Sequence, residues 1–260
     1  TTPMNSNDAK IHIYAWPERF LYLGPSTKTT SHRNHAATWL IAREGTLRVT
    51  LGAAGAVLEN QVIYLPSETE YATDLALSNI AALYWEPESA YFQRAMANAD
   101  NVPRAYACPQ ASSAELLKLY EYQTTRDDAD EILSRIFGFE RMRESQPSFV
   151  DNRINTALAF LRDSPQAYDS IEALSARVHL SPSHFAHLFK KVVGVPVRRY
   201  VLWLKMRRAL DLAMAGDSLT TAALSAGFAD SAHLSRSVRA MMGVAPEFLF
   251  RQRERLVIHQ

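Results

Sequence analysis

The residues of this 260-residue chain that best suit recognition chemistry are polar and basic side chains in two short stretches near its C-terminal end. Both stretches carry apolar residues at helical spacing, so the polar positions would share the outward face of a helix. Hydroxyl, imidazole and guanidinium groups on such a face can bond to base edges. These candidate DNA-binding side chains are Ser183, His184, Ala186 and His187 in the first stretch and Ser231, Ala232, Ser235, Arg236 and Arg239 in the second.

Four further basic residues lie beside these positions and suit contacts with phosphates: Lys190, Lys191, Lys205 and Arg208. Neutralising phosphates releases counterions and gives affinity that does not depend on sequence. A long arginine such as Arg208 can instead bridge two parts of the fold. Residues 151–260 carry 15 Lys and Arg against 9 Asp and Glu, a net +6, whereas residues 1–150 carry 13 against 18, a net −5. An ordinary solvated cationic surface explains this charge as well as a DNA-binding surface does. The spacing of the residues therefore has to decide between these two interpretations.

The elements that would position the first stretch are two short helices joined by a turn. The first helix begins at Ile171 and breaks near His179, and Ser181-Pro182 then starts a second helix that runs to about Val193. Serine caps free helix amides, and proline is tolerated at the first helical position. Such a pair is typical of a helix-turn-helix, whose second helix enters the major groove.

A similar unit recurs 49 residues later, which makes a chance match less plausible. Phe185 corresponds to Leu234 and Phe189 to Val238. Here we expect the turn at Gly227-Phe228, a cap at Asp230 or Ser231 and a second helix from about Ser231 to Met242. Between the units, residues 198–214 carry an apolar stripe and predict one connecting helix.

Residues 171–249 resemble the DNA-binding domain of the AraC/XylS family of bacterial transcription regulators. The resemblance rests on S-P-S-H-F-x-x-L-F-K-K-x-x-G at 181–194, on Arg208-Ala209 and on A-G-F-A-D-S-A-H-L-S-R at 226–236. It implies double-stranded promoter or operator DNA and RNA polymerase as partners. The family usually has an arginine in place of Lys205. It also usually has Ile, Phe and Phe where this chain has Ala222, Leu234 and Val238, which predicts a second unit that is loosely packed or repacked around Met241 and Met242.

The N-terminal third has short segments rich in β-branched and aromatic residues, separated by Gly, Pro and polar clusters. They are Ile11 to Trp16, Phe20 to Gly24, Thr38 to Ala42, Thr46 to Leu51, Gln61 to Leu65 and Ile80 to Trp85, and the strand signal stops after Glu86. This pattern predicts a small antiparallel barrel or sandwich. Regulators of the resembled family commonly carry a cupin-like barrel there. We therefore expect an α+β, two-domain chain in which the barrel precedes an all-α domain with two helix-turn-helix units.

The barrel interior is the expected place for a small-molecule effector, with aromatic walls and Arg48 as an anion partner. The candidate effector-binding residues are His32, His35, Trp39, Arg48, Tyr64 and Trp85, with Tyr84 nearby. Plain core packing is the more frequent role of such aromatic residues in a small barrel. His32-x-x-His35 does not predict a metal site, because residues i and i+3 of a strand lie on opposite faces and the next histidine is His179.

Two helices are predicted after the barrel, at 113–123 and 128–139. Their apolar stripes suit a homodimer contact or packing on the barrel itself, and the dimer is slightly favoured. The polar, proline-containing segment 144–148 is the best interdomain break. The expected domains are thus a sensor barrel at 1–110, a helical dimerisation or linker region at 111–146, and the DNA-binding domain at 147–260.

The sequence shows no catalytic motif, no phosphate-cradling loop and no Cys/His cluster, so we predict no catalytic site, no cofactor and no metal. No apolar run is long enough to span a membrane, and the single cysteine, Cys108, rules out an internal disulfide and favours the cytoplasm. Three functions remain open: a DNA-binding regulator controlled by a small effector, the same regulator controlled by a protein partner or by abundance, and a cupin-type enzyme.

Overall fold

The computed structural model describes residues 10–74, 79–96, 100–106, 115, 118–119, 124–137, 151–246 and 253–259. They form two compact units. The first, the sheet unit, comprises residues 1–145, 242–244 and 251–260; the second, the helical unit, comprises residues 146–241 and 245–250. The predicted α+β, two-domain fold class is confirmed. Cys108 and most of the helix predicted at 113–123 lie outside the described residues.

The described strands of the sheet unit form two sheets. The larger has seven strands in the order β10-β7-β4-β9-β2-β1-β11, and the smaller has four in the order β3-β8-β5-β6. The strands are β1 (Ile11–Trp16), β2 (Arg19–Gly24), β3 (His32–Arg33), β4 (Ala37–Ala42), β5 (Leu47–Leu51), β6 (Ala56–Asn60), β7 (Val62–Leu65), β8 (Glu70–Thr73), β9 (Ile80–Trp85), β10 (Arg104–Tyr106) and β11 (Leu256–His259). Described pairs are antiparallel except β1 with β11, which is parallel. Of the two architectures expected, a barrel or a sandwich, the described strands form the second, with two layered sheets that do not close into a barrel.

The larger sheet is buried on both faces. One face shares a core with the smaller sheet, where Leu40 and Ile63 meet Val49 and Tyr71. The other face, which carries Trp39, packs against helices. This double burial explains why all six residues of β4 are buried and why its sequence is apolar throughout rather than alternating.

Helices α1 (Ala90–Ala95) and α2 (Arg126–Phe137) follow β9 in the sheet unit. The residues of α2 that are buried in the core of the larger sheet include Ala129, Ile132 and Leu133. This apolar stripe is therefore used within the unit, and a homodimer contact through α2 stays a prediction. Packing on the sheet was the other expectation for this stripe.

The expectation that strands stop after Glu86 is also wrong, because β10 and β11 come later in the chain. Both are short, and β11 exists only through its pairing with β1. A strand of three or four residues cannot show a clear two-residue period. Its sequence therefore gives little signal before the partner strand is known.

The helical unit contains α3 (Asn152–Asp163), α4 (Ile171–Arg177), α5 (Pro182–Val193), α6 (Val197–Ala215), α7 (Leu219–Ser225) and α8 (Ser231–Met242). The guanidinium of Arg162 in α3 donates to the Tyr200 hydroxyl of α6 over 3.1 Å, which ties the first helix of the unit to its longest one. No helix in the described part of the chain is both long and apolar enough to cross a membrane.

Candidate nucleic-acid interface

The first helix-turn-helix consists of α4, a short turn and α5. The Ser170 side chain accepts from the Ala173 amide at the start of α4, and Ser181 accepts from the His184 amide at the start of α5. His179 lies in the turn with φ of 55°, a left-handed conformation that is uncommon outside glycine. Caps and turn together fix where α5 begins. Its apolar face, with Phe185 and Phe189, is fully buried.

The second helix-turn-helix consists of α7 and α8 and repeats these devices. Ser218 caps α7, and the Asp230 carboxylate accepts from the His233 amide over 2.6 Å, which identifies Asp230 rather than Ser231 as the cap of α8. Gly227, with φ of 83°, takes the place of His179 in the turn. Glycine adopts this conformation without strain.

The two units differ by one residue in the turn. The helix caps Ser170 and Ser218 are 48 positions apart, whereas the caps Ser181 and Asp230 are 49 apart. The predicted offset of 49 therefore describes the second helix of each unit but not the first. The extra residue lies in the turn of the second unit, between Phe228 and Asp230.

Helix α6 joins the two units without a break. It has 19 residues, which corresponds to about 28 Å at 1.5 Å per residue. Buried residues lie on more than one side of it, among them Tyr200, Trp203, Leu204 and Met206. Helix α6 packs on α3, on α5 and on α7. It therefore contacts one helix of each helix-turn-helix unit.

The structure places most of the predicted DNA-binding side chains at the protein surface. The exposed ones are Ser183, His184, His187, Lys190, Lys191, Ala232, Arg236 and Arg239. The half-buried ones are Ala186, Ser231, Ser235, Lys205 and Arg208. Those on α5 and α8 lie on helices whose opposite faces are buried, so each helix presents a polar face and holds an apolar one in the core.

Lys205 differs from the other basic candidates because its ammonium already has a partner within the fold. Its Nζ donates to the Gly227 carbonyl over 3.2 Å, in the turn that precedes α8. Burial lowers the pKa of Lys205 from its ordinary value. Lys205 therefore positions the second unit, and sequence reasoning missed this contact because Lys205 and Gly227 are 22 residues apart.

The core of the second unit is built from smaller residues, as expected. Ala222, Leu234 and Val238 are fully buried where larger residues were expected from the family. Met241 is also buried, at 2% exposure, whereas Met242 is half-buried. A flexible thioether can fill irregular space left by small neighbours, and the predicted repacking around Met241 stays a prediction.

Three aromatic effector candidates lie in the core between the larger sheet and its helices. The Trp39 ring centre is 4.5 Å from that of Tyr64, 6.2 Å from that of Trp85 and 5.8 Å from that of Phe137 in α2. These rings therefore do not line a barrel interior. The Tyr64 hydroxyl donates to the Asn101 side-chain oxygen over 2.6 Å.

The other effector candidates are dispersed. His35 is buried and its Nε2 is 3.1 Å from the Glu88 carboxylate, while the His32 ring lies against Tyr71. Arg48 is exposed on β5, opposite Glu59 of β6, because alternate residues of that strand face solvent. The prediction that Arg48 faces into a barrel and pairs with an anion there is therefore wrong, because its side chain faces solvent. Among the described residues, no three metal-ligating side chains come together.

Sequence reasoning missed a buried ion pair in the same core. Arg19 is 2% exposed, pairs with Asp130 of α2 and lies over the rings of Trp16, at 4.1 Å, and Trp85, at 5.3 Å. An arginine next to a predicted turn gives no sign of burial. The only signal was the aromatic content of the neighbouring segments.

Comparison with known proteins identifies a domain in the C-terminal part of the chain. A family model described as a helix-turn-helix domain matches residues 174–252. The bifunctional transcriptional activator/DNA repair enzyme Ada of Escherichia coli K12 is 33% identical over 75 residues, 29% of this chain and 21% of that protein. The HTH-type transcriptional activator RhaS of Escherichia fergusonii is 35% identical over 98 residues, 37% of this chain and 35% of that protein. The chain thus spans only about a fifth to a third of the length of these relatives.

Among solved structures, ToxT from Vibrio cholerae is similar over most of the chain. One structure has a TM-score of 0.59 at 11% identity and covers 90% of this chain and 98% of ToxT. Another, from strain O395, has a TM-score of 0.60 at 14% identity and covers 90% and 97%. These likenesses show a shared two-domain fold. With the repeated caps and turns described above, the family match identifies residues 174–252 as a helix-turn-helix domain, which is similar in sequence to parts of the transcriptional activators Ada and RhaS.

Proposed function

We propose that the chain is a sequence-specific regulator of transcription that binds double-stranded promoter or operator DNA through both helix-turn-helix units. The observation that carries this proposal is the pair α5 and α8. Each buries an apolar face and exposes a polar and basic one. The continuous helix α6 packs on α5 of the first unit and on α7 of the second. A net charge of +6 on residues 151–260 supplies the attraction for phosphates.

The direct test is a gel-shift titration of the full chain on its own upstream region. We expect a complex that survives an excess of random-sequence competitor, because base contacts add to the phosphate contacts. Equal affinity for the upstream fragment and for random DNA would overturn sequence-specific regulation. A reporter fused to the same promoter then tests whether binding changes transcription, with RNA polymerase as the proposed partner.

For the sheet unit we propose the role of sensor, controlled by a small and largely apolar effector. The first support comes from ToxT, which shares the fold: its solved structures include one bound to an unsaturated fatty acid and one bound to a naphthalenyl butenoic acid. The second is the dense group of aromatic side chains around Trp39, between the larger sheet of this chain and α2. Candidate contacts there are Trp39, Tyr64 and Trp85, whereas His32 lies on β3 of the smaller sheet and His35 contacts Glu88.

A thermal-shift screen with fatty acids and aromatic carboxylic acids tests this role. A saturable rise in the melting temperature of the full chain, reduced in Trp39→Leu, supports an effector. No saturable shift with any of these ligands favours control by a protein partner or by abundance. Turnover of a ligand would favour the cupin-type enzyme instead. Homodimerisation and a cytoplasmic location are part of the proposal and follow from the family's mode of action.

A further inference from the structure

Strand β11 lies in the sheet unit although it follows the helix-turn-helix units in the chain. It pairs in parallel with β1, with Ile11 opposite Leu256 and Tyr14 opposite His259. The chain therefore leaves the sheet unit before the helical unit and returns to it afterwards.

A pair of histidines holds this junction. The His12 Nδ1 atom of β1 is 3.0 Å from the His259 Nε2 atom of β11. The ring centres are 5.3 Å apart and the planes differ by 19°. The distance between the ring centres is longer than the N–N distance by about two ring radii. Both nitrogens therefore lie on the line that joins the two ring centres, so the rings lie end to end with their nitrogens facing each other. This is the geometry of an N–H···N hydrogen bond, whereas a metal ion held by both rings would need lone pairs that converge on a third point.

A second contact fixes the position of the His259 ring. It stacks on Tyr14 with ring centres 4.2 Å apart and planes 7° from parallel. Tyr14 is fully buried, and its hydroxyl is 2.6 Å from the Thr124 hydroxyl. The His259 ring cannot turn away from His12 without losing this stacking.

We propose that the His12–His259 pair makes β11 a proton-controlled clasp, which holds β11 on β1 while at least one of the two imidazoles is neutral and releases it when both are protonated. A neutral pair has one N–H donor and one lone pair between the rings. A singly protonated pair keeps this arrangement. Two protonated rings place an N–H group against another N–H group, each ring with a positive charge, and the bond is lost.

The surrounding charges oppose the second proton. Burial is the main cause that lowers the pKa of His12 below its ordinary value of 6.5, with His259 and Lys10 adding to the effect. Burial also lowers the pKa of His259. A lowered pKa means that the contribution of the pair to stability is complete above about pH 6.5 and declines as the pH falls through the lowered values.

Other ionisable groups on the packed elements are few in the described part of the chain. Arg255, the cation just before β11, acts electrostatically on Tyr22 of β2. Asp128 of α2 acts on Tyr14 and is held by hydrogen bonds from Thr125, which lower its own pKa. Its carboxylate thus stays ionised over the range in which the histidines titrate. The transition belongs to the histidine pair.

Hydrogen exchange of the full chain, read at the amides of residues 256–259, tests the clasp without reference to DNA. After correction for intrinsic exchange rates, we expect protection to fall about tenfold or more between about pH 7.5 and about pH 5. Amides of β2 should stay protected at both values, because β2 pairs with β9 as well as with β1, and the backbone pairing of Leu23 with His12 does not use the imidazole ring. Unchanged protection of 256–259 in the wild-type chain would overturn the proposal.

Three variants separate the clasp from a general effect of acid. His259→Phe keeps an aromatic ring on Tyr14 and removes the proton site, so β11 should be equally protected at both pH values. If that variant leaves β11 open throughout, His12→Asn carries the test: its amide can donate to His259 or accept from it, and protection should again be independent of pH. The matched control is His184→Gln in the helical unit, which should retain the wild-type drop. A drop that persists in His12→Asn, or disappears in His184→Gln, contradicts the inference.

Discussion

At the scale of single residues, Arg236 is the side chain on which the reading of bases depends most. It is exposed on α8, and an arginine can donate two hydrogen bonds to one guanine. We expect Arg236→Ala to weaken specific binding by roughly 1–3 kcal/mol while leaving binding to random DNA nearly unchanged. Competition gel shifts measure both affinities. The matched control is Arg153→Ala, an exposed arginine of α3 that pairs with Asp151. Equal losses on both DNAs would make Arg236 a phosphate contact.

Lys190 and Lys191 should contribute affinity without specificity. Both are exposed in the last turn of α5. Each true phosphate contact adds about one unit to the slope of log affinity against log salt concentration, so the double alanine variant should lose about two units. Lys28→Ala, an exposed lysine of the sheet unit paired with Asp74, is the control and should keep the wild-type slope. A slope unchanged in the double variant removes both residues from the interface.

Lys205 should act on stability and on the second unit together, since its ammonium holds the Gly227 carbonyl. Lys205→Met keeps the apolar stem and removes the donor. We expect a loss of roughly 1–2 kcal/mol in the free energy of unfolding and weaker specific binding, with a salt slope close to wild type. Chemical denaturation and salt titrations measure these. A slope lower by one unit at unchanged stability would return Lys205 to the phosphate contacts.

At this scale the sequence predicted which polar residues are exposed, because amphipathic spacing on α5 and α8 separates the two faces. It could not predict the Lys205 contact or the buried pair of Arg19 and Asp130. Both join residues that are distant in sequence. Neither a lysine nor an arginine reveals from its neighbours whether its charge meets solvent or a carbonyl.

At the scale of elements, the caps decide where the second helices begin. Asp230→Ala removes the acceptor for the His233 amide and should cost about 1 kcal/mol in the free energy of unfolding. The start of α8 should also fray, which moves Ser231 and Ala232 away from the DNA. Thermal unfolding and specific affinity measure the two effects. The control is Asp217→Ala, an exposed aspartate just before the cap of α7. Equal stability and equal specific affinity of the two variants would show that the Asp230 cap does not position α8.

Elements with long periodic patterns were predicted well, and short ones were not. Strands β1 and β9 have the predicted bounds, and α5 and α8 match the two predicted second helices. By contrast β3, β6, β8, β10 and β11 were missed. Their stability comes from partners elsewhere in the chain: the contact between His12 and His259, for example, spans 247 residues. Local pattern cannot contain such information.

In the whole molecule, an acidic sheet unit proposed as sensor is joined in one chain to a basic helical unit proposed as output. An effector can act only through different affinities for the active and inactive arrangements, and DNA must then change effector affinity by the same factor. We therefore expect a protein limited to residues 151–260 to bind the operator but to lose the response to conditions. Gel shifts and reporter assays compare it with the full chain. If the two behave alike in every condition, the sensor role is wrong and residues 1–150 serve dimerisation or partner binding.

Hydroxyl-radical footprinting on the upstream region tests whether one chain reads DNA with two helix-turn-helix units joined by one continuous helix. One protomer should protect two patches on the same face of the duplex, with centres about 34 Å apart, one helical turn. Arg236→Ala should weaken one patch, and the Lys190/Lys191 variant the other. A single patch, or two patches on opposite faces of the duplex, would contradict the claim.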